Sequence, residues 1–298
     1  MSVTVRVPAK VNVQLAVGGA RADGFHELAN VFLAVDIFDE ITVSPADELR
    51  ISCSGQDAAQ VPLDRTNLAA RAALALAERH GRSADVHIHI AKDIPVAGGM
   101  AGGSADGAGA LLACEALWNT GSSRPELLDI CAELGSDVSF SLVGGAALGT
   151  GRGEKLTVLE VGGRFHWVFA MAEGGLSTPA VFREFDRLND GAHIPEPVAS
   201  RELLDALAKG DAEALAAKAS NDLQPAALSL FPELARTLSA GKAAGALTGL
   251  VSGSGPTLAF LARDADDAER IAQTLTASRS CRSVRTAVSP APGAIRIS

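Results

Sequence analysis

The chain contains 298 residues, of which 47% are hydrophobic, and its formal net charge is −9. A chain of this length can bury a large hydrophobic core and is expected to form two domains. The acidic balance argues against a general nucleic-acid binder or membrane-surface binder, because both need a basic face.

The cysteines and the N-terminal residues indicate the compartment. Cys53, Cys114, Cys131 and Cys281 are scattered and have no metal-like spacing, which is typical of reduced and mostly buried thiols. The first eight residues lack the apolar core of a signal peptide, and no apolar run is long enough to cross a bilayer. We therefore expect a cytoplasmic protein without a membrane partner. No pattern in the sequence indicates its oligomeric state.

The first half of the chain predicts strands that alternate with helices. Residues 3–7 alternate between apolar and polar as in a half-buried strand, which we expect Pro8 to end, and Thr66 is the predicted cap of a helix. His87 and His89 share one face of another strand; without a third ligand nearby, an exposed face is favoured over a metal site. Further predicted elements are strands over 11–17 and 31–43 and helices over 68–79, 104–118 and 125–134.

The second half continues this alternation after Gly162 and Gly163, where we place the domain boundary. The predicted domains are therefore residues 1–160 and 161–298. We expect an α+β fold with mainly antiparallel pairing, and a short tail over 290–298 on the surface. The predicted strands are 165–172, 258–261 and 284–288, and the predicted helices are 178–188, 200–209, 211–219, 231–240 and 264–277.

A glycine-rich loop before the helix at Ser104 is the most informative feature. Gly98, Gly99, Gly102 and Gly103 leave the backbone nearly bare. Glycines before a helix let N–H groups turn toward one point, where the helix dipole also favours negative charge. This pattern favours a phosphate-binding loop over a flexible connection. It is not a Walker loop, since no Lys-Ser/Thr pair closes it, and it lacks the G-x-G-x-x-G spacing.

Three other places carry candidate chemistry. Lys10, flanked by apolar residues after the first strand, is either a functional cation or a snorkelling surface lysine. Asp137 follows a predicted helix end, where by itself it would more often be a cap or turn residue than a base. Residues 252–256 (Ser-Gly-Ser-Gly-Pro) form a second stretch of bare backbone. A serine hydrolase is disfavoured because the chain has no G-x-S-x-G elbow.

The order of these pieces resembles a known superfamily. Residues 8–10, the loop 95–105 and residues 252–256 look like the three motifs of the galactokinase, homoserine, mevalonate and phosphomevalonate (GHMP) kinases. Segments 21–28, 135–140, 178–182 and 221–223 are similar to those of the 4-diphosphocytidyl-2-C-methyl-D-erythritol kinase family. The resemblance is collinear over nearly the whole chain. It implies ATP-dependent phosphorylation of the substrate's 2-hydroxyl, in the non-mevalonate isoprenoid pathway. It also implies an N-terminal α/β domain and a ferredoxin-like C-terminal domain, with the site between them.

The resemblance also implies residue roles. Asp137 corresponds to the catalytic aspartate and Lys10 to its partner. Ser104 corresponds to a serine that faces the phosphates and Mg²⁺, which would arrive as the ATP complex; the magnesium ligands of the protein are not indicated. Lys92 and Asn67 correspond to positions that flank the adenine. The implied phosphate-binding residues are Pro95, Val96, Ala97, Gly98, Gly99, Met100, Ala101, Gly102, Gly103, Ser104 and Ala105.

The implied substrate residues form a cytosine clamp and a polar end. Phe25, His26 and Phe182 fall where the family holds cytosine, and Asn12 and Thr178 match positions near the polar tail of the substrate. The family usually has tyrosine at the position of Phe25, and this chain has no tyrosine. Ring stacking survives that change, whereas a phenol hydrogen bond does not. The alternatives are another GHMP kinase, which needs no cytosine clamp, and a nucleotide-binding regulatory protein that has lost the chemistry.

Overall fold

The structure is a computed structural model that describes residues 2–96 and 98–298, so the predicted loop residue Ala97 lies outside the described residues. Across the described residues, no helix combines the length and apolar character needed to cross a bilayer. The strands are β1 (Val3–Ala20), β2 (His26–Pro45), β3 (Arg50–Gly55), β4 (Val86–Lys92), β5 (Ala146–Thr150), β6 (Lys155–Val158), β7 (Phe165–Met171), β8 (Ser220–Asn221), β9 (Thr248–Val251), β10 (Leu258–Ala262), β11 (Ser283–Ser289) and β12 (Ile295–Arg296). The helices are α1 (Leu68–Arg79), α2 (Gly102–Trp118), α3 (Arg124–Leu134), α4 (Ser136–Val143), α5 (Thr178–Leu188), α6 (Arg201–Lys209), α7 (Ala212–Lys218), α8 (Gln224–Leu230), α9 (Leu234–Ala243) and α10 (Ala265–Ser278).

The first sheet is formed mainly by the N-terminal half. Its strands run in the order β12-β1-β2-β4-β3, and β5 joins β2 on a branch that continues to β6. Most neighbours are antiparallel, as the sequence predicts, while β3 pairs with β4 in parallel and the short β8 pairs with β1 in parallel. The alternating valines of β1 are buried against the core, so the period-two pattern sets which face of the sheet is covered.

Strand β1 continues through Pro8, so the prediction that Pro8 ends it is wrong. Pro8 pairs with Phe38 and Ala9 with Val35, and the register therefore shifts between them. A bulge of this kind accommodates proline because it interrupts the ladder where the missing N–H would donate. The continuation carries Lys10 and Asn12 into the interior.

Helix α2 packs on β1 and β2 of this sheet, and α1 packs against α2. The predicted bounds of α1 are confirmed, but its cap is Asn67 and not Thr66: Asn67 Oδ1 accepts a hydrogen bond from the Ala69 N–H at 2.8 Å. Helix α2 begins at Gly102, two residues before the predicted start. It lies so close to the sheet that a Cβ on Gly109 would be 2.6 Å from Ile41 Cγ1. Glycine at this position therefore sets how closely α2 can approach the sheet.

The second sheet has the order β11-β7-β10-β9, with every pair antiparallel. Its core includes Trp167, Phe169 and Phe260, all fully buried. The predicted α+β class is therefore confirmed. Helices α4 and α8 and strands β3, β5, β6 and β9 were not predicted, because they are short and have little periodicity of their own.

The C-terminal tail lies mostly on the surface, as predicted, but it also joins the first sheet. Strand β12 pairs with β1, and Ala291 and Ala294 are buried. Ala291 accepts a hydrogen bond from the Gly145 N–H at 2.8 Å and donates one to the Ala34 carbonyl at 2.9 Å. The boundary at residues 160 and 161 stays a prediction; β6 ends at Val158 and β7 begins at Phe165.

Candidate active site

A cavity of about 490 Å³ lies where the two halves of the chain meet. The first half contributes β1, the glycine-rich loop and the start of α4, and the second half contributes α5 and the loop between β9 and β10. The predicted residues that line it are Lys10, Asn12, Lys92, Pro95, Val96, Gly98, Gly99, Ala101, Gly102, Gly103, Ser104, Asp137, Thr178 and Phe182.

Lys10 and Asp137 meet at this cavity. Lys10 Nζ is 3.6 Å from Asp137 Oδ2, and the lysine side chain is 4% exposed while that of Asp137 is 34% exposed. The ammonium also donates to Asn12 Oδ1 at 2.6 Å, and Asn12 Nδ2 donates to Asn30 Oδ1 at 2.7 Å. The amide chain thus orients the buried ammonium toward the carboxylate that faces the cavity.

The local fold accounts for the position of Asp137. It is the second residue of α4, where the N-terminal end of the helix dipole favours a carboxylate. The snorkelling alternative for Lys10 is wrong, because its ammonium is buried and paired. A buried ammonium with two oxygen partners is compensated both in charge and in hydrogen bonding.

The glycine-rich loop is held against the second half through its backbone. The hydroxyls of Ser252 and Thr257 donate to the carbonyls of Gly99 and Gly98, each at 2.7 Å. Gly99 has φ +91°, and a Cβ there would be 2.5 Å from the Ser252 carbonyl oxygen. Only glycine fits both the backbone conformation and the close approach.

The three predicted motifs converge at this point. The Lys10 N–H donates to the Met100 carbonyl at 3.2 Å. A Cβ on Gly253 would be 3.3 Å from both Lys10 Nζ and Asn12 Oδ1, which shows how closely the 252–256 segment approaches the pair. The fold thus brings three motifs that are far apart in the sequence to the same pocket.

The first turn of α2 faces the cavity. It comprises Gly102, Gly103 and Ser104, and the first N–H groups of a helix lack intrahelical partners. These donors, together with the helix dipole, suit a phosphate group. Met100 and Ala105, which were also predicted to bind phosphate, place their side chains in the hydrophobic core.

Lys92 lies beneath the start of α2 and also lines the main cavity, and its expected position beside the adenine stays a prediction. Its ammonium is 2.6 Å from Asp39 Oδ2 and 3.1 Å from Asp106 Oδ2, and its side chain is 2% exposed. Burial, opposed in part by Lys92, raises the pKa of the Asp106 carboxyl well above its usual value. For Lys92, burial lowers the pKa but the two carboxylates outweigh it, so the net direction is upward. A cation held this firmly supports the loop from below.

Asn67 has a structural position as well. Besides capping α1, its Nδ2 donates to the Pro62 carbonyl at 2.7 Å, and the residue is 6% exposed. Both ends of the side-chain amide therefore have backbone partners. The expected position of Asn67 beside the adenine stays a prediction, and its neighbour Leu68 lines the main cavity.

A second cavity, of about 530 Å³, adjoins the first and contains the predicted aromatic residues. The rings of His26 and Phe182 have centroids 4.9 Å apart, with an interplanar angle of 33°. Phe25 is 50% exposed, and its ring centroid lies 4.9 Å from Arg152 Cζ. His26 Nε2 is 2.8 Å from Asp186 Oδ1, a contact that restricts the imidazole.

Several lining residues are common to both cavities. Ser136, Arg152, Thr178 and Phe182 border each of them, and Thr178 Oγ1 is 2.8 Å from Ser254 Oγ. A molecule with an aromatic base at one end and a hydroxyl at the other could therefore span from the aromatic cavity to Lys10 and Asp137.

Sequence reasoning missed Arg152, Ser136, Asn30 and Asp186. Asn30 directly precedes the predicted apolar strand 31–43. It could have been noticed there, since an isolated amide beside such a strand needs a buried partner. The other three carry no local signal. His87 and His89 bond to the hydroxyls of Ser52 and Ser54, and no group of three or more possible metal ligands occurs among the described residues.

Comparisons with known proteins agree with the resemblance. Residues 67–145 match the family model of the GHMP kinases N terminal domain, and residues 203–279 match that of the GHMP kinases C terminal domain. A 4-diphosphocytidyl-2-C-methyl-D-erythritol kinase from Streptomyces avermitilis is 79% identical, with 99% of each chain covered. One from Streptomyces coelicolor is 76% identical, again with 99% of each covered.

Solved structures give the same result. A crystal structure of 4-(cytidine 5'-diphospho)-2C-methyl-D-erythritol kinase is 33% identical, with a TM-score of 0.77 over 95% of this chain and 98% of that one. A homoserine kinase from Cytophaga hutchinsonii, at 21% identity, has a TM-score of 0.75 over 99% of this chain and 97% of that one; this likeness concerns the fold alone. Because it is similar to these relatives over nearly its full length and shares their fold, the chain belongs to the 4-diphosphocytidyl-2-C-methyl-D-erythritol kinase family of the GHMP kinases.

Proposed function

We propose that this kinase transfers the γ-phosphoryl group of ATP to the 2-hydroxyl of 4-diphosphocytidyl-2-C-methyl-D-erythritol, a step of the non-mevalonate isoprenoid pathway. The observation that carries the proposal is the pair of adjoining cavities that share Arg152, Thr178 and Phe182. One contains the glycine-rich loop and the Lys10–Asp137 pair, and the other contains the aromatic residues. The substrate has a base at one end and the accepting alcohol at the other, so it needs both.

Asp137 is the proposed proton acceptor. Its carboxylate accepts the hydroxyl proton as the hydroxyl oxygen bonds to the γ-phosphorus and the bond from that phosphorus to the bridging oxygen of ADP breaks. A weak base suffices, because the transition state of phosphoryl transfer is loose and the proton can move late. Lys10, 3.6 Å away, orients the carboxylate and offsets negative charge that develops on the transferred group.

The glycine-rich loop is proposed to bind the ATP phosphates. The N–H groups of Gly102, Gly103 and Ser104 at the start of α2 are the donors. Mg²⁺ is proposed to arrive with ATP and to neutralise charge on its phosphates. The hydroxyl of Ser104 fits such an ion, since Mg²⁺ takes oxygen ligands and usually keeps several waters.

The aromatic cavity is proposed to bind the cytosine. Phe25 and Phe182 would stack on the flat faces of the base, and His26, restricted by Asp186, would read its polar edge. Phenylalanine at position 25 retains the stacking surface. Arg152 stands between the two cavities, where its guanidinium can pair with the diphosphate of the substrate.

Asn12 and Thr178 are proposed to contact the polar tail. Both line the main cavity, and Asn12 is bonded to Lys10. The partners are thus ATP and a cytidylyl alcohol, and we expect neither nucleic acid nor membrane as a partner, in keeping with the net charge of −9. We propose the cytoplasm as its location and residues 160 and 161 as its domain boundary.

Phosphate transfer across a substrate panel tests the proposal. The purified protein with ATP and Mg²⁺ is offered the cytidylyl compound, mevalonate and homoserine, and labelled product is measured. We expect transfer to the cytidylyl compound alone. Transfer to mevalonate or homoserine, without transfer to the cytidylyl compound, would overturn the assignment.

A further inference from the structure

Two arginines at the start of β11 in the second sheet reach into the first half: Arg282 directly precedes the strand, and Arg285 lies within it. Arg282 Nη1 and Nη2 donate to the two carboxylate oxygens of Asp57 at 2.8 and 3.0 Å. Arg285 Nη1 and Nη2 donate to those of Asp93 at 2.9 and 2.8 Å. We call these two ion pairs the clasp. Each is bidentate, which fixes orientation as well as distance.

Both carboxylates of the clasp hold the segment that leads into the glycine-rich loop, Asp93 as part of it and Asp57 from the turn after β3. Asp57 Oδ2 accepts a hydrogen bond from the Val96 N–H at 3.1 Å. Asp93 begins the same segment, directly after β4. Val96 is two positions before Gly98 in the sequence. The hydrogen bond from Val96 to Asp57 is therefore close to the glycines of the loop.

A third carboxylate holds this segment from below. Asp39 Oδ1 accepts hydrogen bonds from the N–H groups of Asp93 and Ile94 at 2.7 and 2.9 Å, and Asp39 Oδ2 binds Lys92. The three backbone donors of Asp93, Ile94 and Val96 are therefore all bonded to carboxylates. Asp39 lies on β2 of the first sheet. The two carboxylates of the clasp are instead oriented by arginines of the second half.

Strand β11 is a rigid base for the two arginines. It pairs with β7 from Ser283 to Ser289, and the Arg282 N–H donates to the Met171 carbonyl at 2.7 Å. A shift of the second sheet relative to the first would therefore pull on the segment before the loop. Independent contacts from Ser252 and Thr257 reach the loop from the same half.

We propose that Arg282 and Arg285 are positioning residues for ATP, which hold the segment 93–96 so that the glycine-rich loop keeps its phosphate-binding shape. The inference rests on the proposed binding of ATP phosphates by that loop. The proposal extends the site to the start of β11. It also assigns a function to Asp57 and Asp93, which are not part of the catalytic pair.

The two pairs differ in their exposure. Arg282 and Asp57 are 29% and 11% exposed, whereas Arg285 and Asp93 are 38% and 57% exposed. Water screens an exposed pair more strongly, so Arg282 has the larger effect. Hydrogen bonds from Arg282 lower the pKa of Asp57, and those from Arg285 lower the pKa of Asp93, so both carboxylates remain ionised throughout the neutral range.

Calorimetric titration with Mg·ATP tests the clasp, in the full-length protein with Arg282→Gln or Arg285→Gln. We expect the Kd for ATP to rise by about five- to tenfold in Arg282→Gln and by less in Arg285→Gln. The matched control is Arg263→Gln, since Arg263 pairs with Glu213 and Asp267 within the second half. An unchanged Kd for ATP in Arg282→Gln would overturn the proposal.

Steady-state kinetics and melting temperatures separate positioning from general stability. The KM for ATP should rise while the KM for the cytidylyl substrate stays within about twofold, because neither Arg282 nor any residue of β11 lines the aromatic cavity. A parallel rise of both KM values would overturn the positioning role. If Arg282→Gln unfolds, the more exposed Arg285→Gln carries the same test.

A double-mutant cycle shows whether the arginine acts through its carboxylate. Asp57→Asn removes the ionic partner and leaves an acceptor for the Val96 N–H. Arg282→Gln combined with Asp57→Asn should weaken ATP binding no more than the worse single variant, and additive losses would overturn the pairwise mechanism. Failure of the proposed function can be told apart from failure of the clasp. If the wild-type protein does not phosphorylate the cytidylyl compound, the Kd for ATP can still be compared between the wild type and the variants.

Discussion

At the scale of single residues, the site depends on how a few polar side chains are paired inside the fold. Lys10 is buried among β1 residues yet has Asn12 and Asp137 as partners, and Asn30 completes the chain of amides. A buried ammonium without such partners would be strongly destabilising. The pairing therefore both makes the burial of Lys10 possible and directs its charge at the cavity.

Asp137→Asn and Lys10→Ala should each remove most turnover. Loss of a positioned proton acceptor typically costs about 10²–10⁴ in rate, and loss of the lysine removes both orientation and charge compensation. Measurement of kcat, with ATP binding and melting temperature alongside, checks this. Asp129→Asn, an exposed carboxylate on the neighbouring α3, is the matched control. Near-normal turnover in Asp137→Asn would rule out the proposed base.

Phe182→Ala should weaken binding of the cytidylyl substrate selectively. Base–aromatic stacking is worth roughly 1–3 kcal/mol per base, so the KM for this substrate should rise by about ten- to a hundredfold, with the KM for ATP nearly unchanged. Leu188→Ala, exposed on the same helix α5, is the control. Should Phe182 be a core residue, the truncation would cost about 3–5 kcal/mol of stability and impair both substrates in parallel.

At the scale of elements, the glycine-rich loop and α2 combine bare backbone with close packing. Gly99 meets the carbonyl of Ser252, and Gly102 opens α2 above the Lys92 ammonium. The glycines thus serve two purposes that the sequence pattern does not separate: some face the cavity, and others allow neighbouring elements to approach.

Gly102→Val should weaken ATP binding far more than binding of the cytidylyl substrate. A Cβ at this position would be 2.9 Å from Lys92 Nζ and 3.2 Å from Ile94 Cγ2, and the branched side chain would also crowd the N–H groups that face the phosphate. Calorimetric titration of both ligands measures the difference. Gly19→Ala, where a Cβ has open space, is the control, and equal losses for both ligands would contradict a phosphate-binding loop.

At the scale of the whole molecule, the chain closes on itself. After β6 it builds the second sheet, touching the first sheet on the way through the short β8, and it returns with β12 to pair with β1. The return contacts α4, which carries Asp137, since the Ala294 N–H donates to the Ser141 carbonyl at 3.1 Å. The tail thereby ties the end of the chain to the sheet that holds the catalytic pair.

Removal of residues 290–298 should lower the free energy of unfolding substantially. The tail exchanges backbone hydrogen bonds with Thr4, Ala34, Ser141 and Gly145, each with a net value of roughly 0.5–1.5 kcal/mol. Denaturant unfolding measures the loss. Ile295→Ser, which changes a side chain that is 40% exposed, should have little effect. A truncated chain with unaltered stability would contradict the structural role of the tail.

The amino-acid sequence by itself determined the family, the three motifs, the α+β class and the bounds of α1 and α5. These follow from local periodicity, glycine placement and motif order, which are legible along the chain. Only the tertiary structure decided that Lys10 Nζ lies 3.6 Å from Asp137, that Lys92 lies beneath the loop, and that Arg152 joins two cavities. Such contacts depend on strand register and on the approach of distant segments. Local patterns cannot encode them, because a shift of one residue in register turns each side chain to the opposite face of the sheet.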